Sequence, residues 1–128
     1  MVRHFIACDD IDSASTGKYS LHNVIYAVRL LPGAAYPQIH PMICLFVHMT
    51  NGRGSHSFQI ELVFADDEQS TYISDLVTMN LGDDPLAVYG WPIRLRNLLF
   101  PHPGSYEFRL LCDGQVIARE PILLRDIS

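Results

Sequence analysis

Residues 105–118 constrain the architecture of this chain more than any other stretch. Tyr106, Phe108, Leu110 and Cys112 alternate with Glu107, Arg109 and Asp113. In an extended chain successive side chains point to opposite faces, so this segment has one oily face and one polar face. Asp113-Gly114 follows at once, and both residues tolerate the positive φ that a type I′ turn demands at its two centres. A return strand then starts at Gln115. An antiparallel hairpin with one apolar face needs a second layer over it, which predicts an all-β sandwich of two sheets, Ig-like or Greek-key-like.

The same period recurs along the chain. Strand signals fall at residues 3–8, 19–30, 40–49, 55–65, 70–80, 87–95, 105–112 and 115–124, about eight in all. Phe58, Ile60, Leu62 and Phe64 alternate with Ser57, Gln59 and Glu61, the cleanest pattern present. Residues 40–49 are apolar on both faces, which places that strand centrally. Leu21, Val24, Tyr26 and Val28 require a bulge near His22-Asn23 to share a face. Pro92 assigns part of its strand to an edge or a bulge, because proline donates no ladder hydrogen bond. Leu98-Leu99-Phe100 breaks the alternation and is read as crossing one end of the core. Short connections at 33–37, 51–54, 66–68, 82–85 and 101–104 fit a single domain over residues 1–128, and no segment has a helical period.

Composition narrows the partners. Residues are 48% hydrophobic and 18% charged, and the formal net charge is −5. The nine basic residues are scattered and only Lys18 is a lysine, which disfavours nucleic acid and anionic lipid. Cys8, Cys44 and Cys112 sit in apolar runs without a CxxC spacing, so they read as buried free thiols, with a disulfide pair left open. The first residues lack the apolar core of a signal peptide, and no run approaches the ~20 residues of a membrane span. A reducing, cytoplasmic setting is expected.

The candidate functional residues are mostly carboxylates. If each connection reverses the chain, Asp9, Asp10, Asp12, Asp83, Asp84 and Asp113 gather at one pole of the sandwich, and residues 66–68 fall at the other. Converging loop oxygens are what Ca²⁺ requires, although the spacing matches no EF-hand and Asp is common in turns for local reasons. Together with Lys18 and Arg53 these six carboxylates form the candidate binding surface. The histidines lack tight zinc spacing: His40 and His48 are about 26 Å apart along a strand, and His4 and Cys8 about 13 Å. No metal or cofactor is therefore expected. Ser13, Ser15 and Thr16 lie in a polar stretch, but no GxSxG, HExxH or phosphate loop occurs, so no catalytic residue is assigned.

Other residues read as structural. Tyr106 follows the Pro103-Gly104 turn, the position of a corner tyrosine that bonds backbone across a connection. Trp91 fills the core, and Gly104 and Gly114 serve turns. Glu120 alternates with Val116, Ala118, Ile122 and Leu124 and points inward, which calls for a partner (Arg94, Arg96 or Arg109, given a bulge at Pro121) or a raised pKa.

Two stretches carry a family resemblance. One is Ala7-Cys8-Asp9-Asp10-Ile11 with Gly17-Lys18-Tyr19-Ser20-Leu21; the other is residues 100–110 with Asp113-Gly114 and 117–122. Together they resemble a bacterial family of small proteins classed as a domain of unknown function, with a Cys-Asp-Asp start, a Gly-Lys-x-Ser-Leu stretch and a Pro-Gly-x-Tyr hairpin. His22-Asn23 departs from the Ile-Gly common there. The resemblance implies a β-sandwich and no activity. The expectation is a non-catalytic binding module recognising a protein or its own copy, as a homodimer, through loops and strand edges. The alternatives are a Ca²⁺-dependent module working through the acidic pole and a small enzyme with a cleft between the sheets.

Overall fold

The structure, a computed structural model, describes residues 2–15, 17–30, 35–84 and 86–126. Its ten strands are β1 (Val2–Ser15), β2 (Lys18–Val24), β3 (Ala27–Leu30), β4 (Gln38–Thr50), β5 (Ser55–Phe64), β6 (Gln69–Ile73), β7 (Val77–Asn80), β8 (Val88–Phe100), β9 (Gly104–Cys112) and β10 (Gln115–Asp126). A smaller sheet has the order β2-β1-β4-β8, and a larger one β3-β10-β9-β5-β6 with β7 also on β5. Pairing is antiparallel except between β3 and β10, which run parallel. Among the described residues there is no helix, and none that could cross a membrane.

The core forms where the two oily faces meet. Phe58, Ile60, Leu62 and Phe64 from β5 and Tyr106, Phe108 and Leu110 from β9 join Ile43, Leu45 and Val47 from β4 in one buried cluster. Period-two alternation places each set on one face, and burying that face offsets the cost of ordering the strand. β4 is indeed central, between β1 and β8, and its second face is also covered: Cys44 joins Cys8 and Ile11 in a separate buried group. Asp113 and Gly114 have φ of 51° and 83°, as the type I′ turn requires.

Ten strands replace the expected eight for local reasons. The segment read as one strand at 19–30 divides, with β2 in the smaller sheet and β3 in the larger. Asn23 has a positive φ of 55°, yet Cys8↔Val24 and Asp10↔His22 keep one register, so the irregularity there is not a register-shifting bulge. The segment at 70–80 also divides, because Ser74 interrupts it. The Ser74 hydroxyl accepts from the Ile60 N–H at 2.8 Å, and β6 and β7 pair with β5 on either side of that point. Of the connection expected at 33–37, residues 33 and 34 lie outside the described residues, and 35–37 lead into β4.

Leu98-Leu99-Phe100 does not cross the core end. It continues β8, paired with β4 through Ile39↔Leu99 and Gln38↔Phe100. The alternation breaks because the strand changes face. Leu95 is buried, then Leu98 and Phe100 are buried while Leu99 is exposed. The change falls at Asn97, whose φ is 55°, and Asn tolerates that conformation better than most residues. The register sets Asn97 opposite Pro41, and β4 changes face at the same place: Ile43 is buried and Ile39 exposed.

Candidate functional site

β1 pairs with β4 only as far as Cys8, and with β2 from Cys8 to Ser15. Its second half thus leaves β4 and, with β2, arches as a hairpin over the outer face of the smaller sheet. Two hydrogen bonds fasten the arch to β8, which is two strands away from β1 in the sheet. The Arg94 guanidinium donates to the Ile11 carbonyl at 2.7 Å, and the Tyr19 hydroxyl donates to the Gly90 carbonyl at 3.3 Å. Gly90 makes room for this. A Cβ there would stand 2.7 Å from Cε2 of Tyr19 and 3.3 Å from Cζ of Phe46.

Between the arch and the sheet lies an open groove of about 530 Å³. Its walls are Ile6, Tyr19, Leu21, Phe46 and Val88, with Gly17 and Gly90 giving backbone, and His4 and His48 supplying the polar groups. Phe46 and Tyr19 meet with ring centroids 5.0 Å apart. His4 and His48 are cross-strand partners whose rings stack at 5.3 Å, 15° from parallel. The volume falls in the range of ligand pockets, which are mostly apolar with a few placed polar groups. The space between the sheets holds the apolar core. Sequence reasoning missed the groove because its residues come from β1, β2, β4 and β8, and only the arch unites them.

The acidic pole is not assembled as the parity of the loops suggested. That argument ended the first strand at Cys8, whereas β1 runs through Asp9, Asp10 and Asp12. Asp12 meets His22 Nε2 at 2.6 Å, and Asp10 lies 3.9 Å from Arg94 and accepts from the Ile11 N–H. Asp84 accepts from the Leu86 N–H, a local turn bond of the kind Asp favours. Asp83 is exposed in the same connection, Lys18 begins β2 beside the arch tip, and Arg53 is exposed before β5. Among the described residues the one group of three metal-ligand types within 4.8 Å is His56, Cys112 and Asp113, so only Asp113 of the six carboxylates belongs to it.

That group is a latch on the β9–β10 turn. One Asp113 oxygen accepts from the Ser57 N–H at 2.9 Å, and the other meets His56 Nδ1 at 2.7 Å. His56 Nε2 meets the Arg53 carbonyl at 2.6 Å. Both imidazole nitrogens therefore face acceptors, and both must carry hydrogen, which is the imidazolium form. The bond to Asp113, with that to Arg53, pushes His56 above its ordinary value, and His56 in turn holds Asp113 below its own. Burial pushes the Cys112 thiol up, away from the thiolate a metal takes. With its donors so engaged, the cluster fits a turn lock better than a zinc centre.

Of the residues read as structural, Tyr106, Trp91 and Gly104 lie in or against the core, whereas Glu120 lacks the arginine partner offered for it among the described residues. Tyr106 is buried and its hydroxyl donates to the His102 carbonyl at 2.5 Å. Trp91 packs on the core, edge-on to Phe58 at 5.7 Å. Gly104 has φ 139°, and a Cβ there would meet the Phe64 ring at 2.7 Å. Glu120 is half-buried with no ion pair among the described residues, and burial raises its pKa. Arg109 instead binds Glu107 at 2.7 Å and Glu68 at 2.5 Å, while Arg119 binds Glu107 at 2.9 Å. Burial pushes Glu107 up, but hydrogen bonds from Arg109 and Arg119 outweigh it and hold the carboxyl below its usual range.

Fold and groove together define a β-rich, two-sheet domain with a concavity on the outside of one sheet. The chain belongs to DUF6941, a family of unknown function, whose model matches residues 3–125. A search of curated proteins returns no match.

Proposed function

We propose that this protein is a non-catalytic binding module that takes an extended protein segment, from a partner or a second copy, along the free edge of β8 with side chains entering the outer groove. One observation carries the reading: the groove adjoins an unpaired strand edge. Among the described residues β8 pairs only with β4. Val88 and Gly90 belong both to that edge and to the groove. An added strand supplies main-chain hydrogen bonds while alternate side chains fill adjacent pockets. Pro92 blocks pairing beyond it, so the usable edge is the stretch 88–91 beside the groove. Leu86 at 85% and Val88 at 61% exposure give the rim an apolar surface of the kind that marks contact sites.

The thiols support a non-catalytic reading. Burial, then Cys44 and the nearby Asp9 and Asp10, push Cys8 up to about 11, and burial raises Cys44 and Cys112 as well. A nucleophilic cysteine needs the opposite shift. Cys8 and Cys44 are cross-strand neighbours and free, which fits a reducing compartment such as the cytoplasm.

The test is light scattering across a wide concentration range, paired with fluorescence titration of 1-anilinonaphthalene-8-sulfonate as a groove probe. Wild type is expected to self-associate or to bind the dye saturably. Val88→Lys should weaken self-association, and Ile6→Trp should fill the groove and remove the dye signal. A strict monomer that binds no dye, or variants that behave as wild type, would refute the proposal.

A further inference from the structure

The groove meets its occupant with imidazoles and no carboxylate. Its lining holds no Asp or Glu, although the chain has a formal net charge of −5. Its ionisable groups besides Tyr19 are His4 and His48. His56 has both ring nitrogens committed, to Asp113 and the Arg53 carbonyl, and His22 has one committed to Asp12. His4 and His48 have neither a hydrogen bond nor an ion pair among the described residues, and they touch each other as stacked rings. Lys18 lies between Gly17 and Tyr19, two lining residues, and is exposed without an ion pair among the described residues. The unsatisfied charge and hydrogen-bond donors around the groove therefore call for an anion.

We propose, resting on the binding-module reading, that the segment taken along β8 is acidic: a guest glutamate opposite Gly90 gives its carboxylate to His4 and His48, and an apolar guest side chain two residues away packs on Val88. The ladder registers carry the placement. His4 pairs with His48 across β1 and β4, and His48 pairs with Gly90 across β4 and β8, so the three stand in one row across the sheet. A guest residue opposite Gly90 extends that row, on the same face. Gly90 contributes no side chain to the row, and the Tyr19 ring and Val88 flank the passage over it. Two strand spacings set the guest Cα about 10 Å from that of His48, within the joint reach of a glutamate and an imidazole. The ring geometry suits a carboxylate. The rings lie 5.3 Å apart and 15° from parallel, so donors in the two planes do not converge on one centre. A carboxylate needs no common centre, because its two oxygens accept separately, one from each ring. An imidazole N–H donates in the neutral or the protonated form, and a hydrogen bond to an ionised acceptor is roughly twice as strong as a neutral one. Exposure of His4 and half-burial of His48 leave both rings within reach.

The experiment is isothermal titration of the full chain at pH 7 with the capped peptides acetyl-Thr-Val-Thr-Xaa-Thr-Val-amide, where Xaa is glutamate, glutamine or lysine. Binding of N-phenyl-1-naphthylamine, an uncharged dye, is measured alongside as a probe of the groove itself. The glutamate peptide is expected to bind about tenfold or more tighter than the glutamine peptide, and the lysine peptide weakest. The double variant His4→Ala with His48→Ala should bring glutamate and glutamine within about twofold of each other, chiefly by weakening glutamate. His40→Ala, outside the groove, should leave the preference within about twofold of wild type. Ile6→Trp should block every peptide and the dye. The acidic guest is refuted, and the binding module stands, if glutamate and glutamine bind equally and Ile6→Trp blocks both. It is refuted as well if the glutamate preference survives loss of both imidazoles. If neither the peptides nor the dye bind, the binding-module reading falls and the acidic guest with it. The alanine variants alter accessible side chains, and far-ultraviolet circular dichroism should show each chain folded.

Discussion

Gly90→Ala tests whether the arch is seated as described. In most strands this exchange is favourable by about 0.4–1 kcal/mol, because alanine has less unfolded-state freedom to lose. Gly90 has no positive φ to forbid a side chain. The added Cβ would nonetheless stand 2.7 Å from Tyr19 Cε2, closer than carbon atoms approach. Overpacking of that kind costs about 1–3 kcal/mol. Displacing Tyr19 also removes its bond to the Gly90 carbonyl, worth about 0.5–1.5 kcal/mol. The net expectation is a loss of about 1–3 kcal/mol. In a Tyr19→Ala background the 2.7 Å clash is gone and Phe46 Cζ, at 3.3 Å, can yield into the space the ring vacates, so the same exchange should lose most of its cost and approach neutrality. In a Tyr19→Phe background the ring remains and the loss should persist in most part, which separates crowding from hydrogen bonding. Urea unfolding of the six chains gives the cycle. An equal cost for Gly90→Ala in the Tyr19 and Tyr19→Ala backgrounds would refute the arch.

Three further outcomes are expected. His56 is raised in the folded state, so its contribution is full below about pH 6.5 and fades as pH rises through the higher folded value; that of Asp113, which is lowered, is full above about pH 4 and fades as pH falls through the lower one. Urea stabilities should therefore show His56→Asn costing most near pH 5.5 and least near pH 9, and a flat difference would contradict the latch. Glu120 is raised by burial, so the folded state prefers it protonated and it opposes folding once pH exceeds about 4.5. Glu120→Gln should raise the melting temperature at pH 7 and leave it nearly unchanged at pH 3.5. Tyr106→Phe should cost about 1–3 kcal/mol in urea unfolding, because the His102 carbonyl loses its buried donor.

Much of the architecture is legible because it rests on local chemistry. The alternation of residues 55–65 and 105–112 sets which side chains meet in the core. Asp113-Gly114 fixes a turn through the φ values those residues accept, and Tyr106 fixes the connection before β9. Pro92 marks an edge because it lacks a donor, and β8 is an edge. The misreadings have local causes as well. Asn97 and Ser74 change a strand's face or interrupt it through single backbone events that periodicity reports only as noise. Asp9, Asp10 and Asp12 look like turn residues, yet they continue a strand that bends away from its neighbour.

The groove was not legible, and neither was the imidazole pair. His4 and His48 are 44 positions apart in the chain, and nothing near either one names the other. Spacing along a strand correctly separates His40 from His48 but says nothing about neighbours across a ladder. The amino-acid order by itself determined two apolar faces, their turns and their burial, because those follow from period, side-chain volume and allowed φ. Which strand lies beside which, and where the β1–β2 hairpin comes to rest, was decided only by the folded whole. Register and arching depend on contacts between distant segments, and those contacts exist only once both sheets have formed.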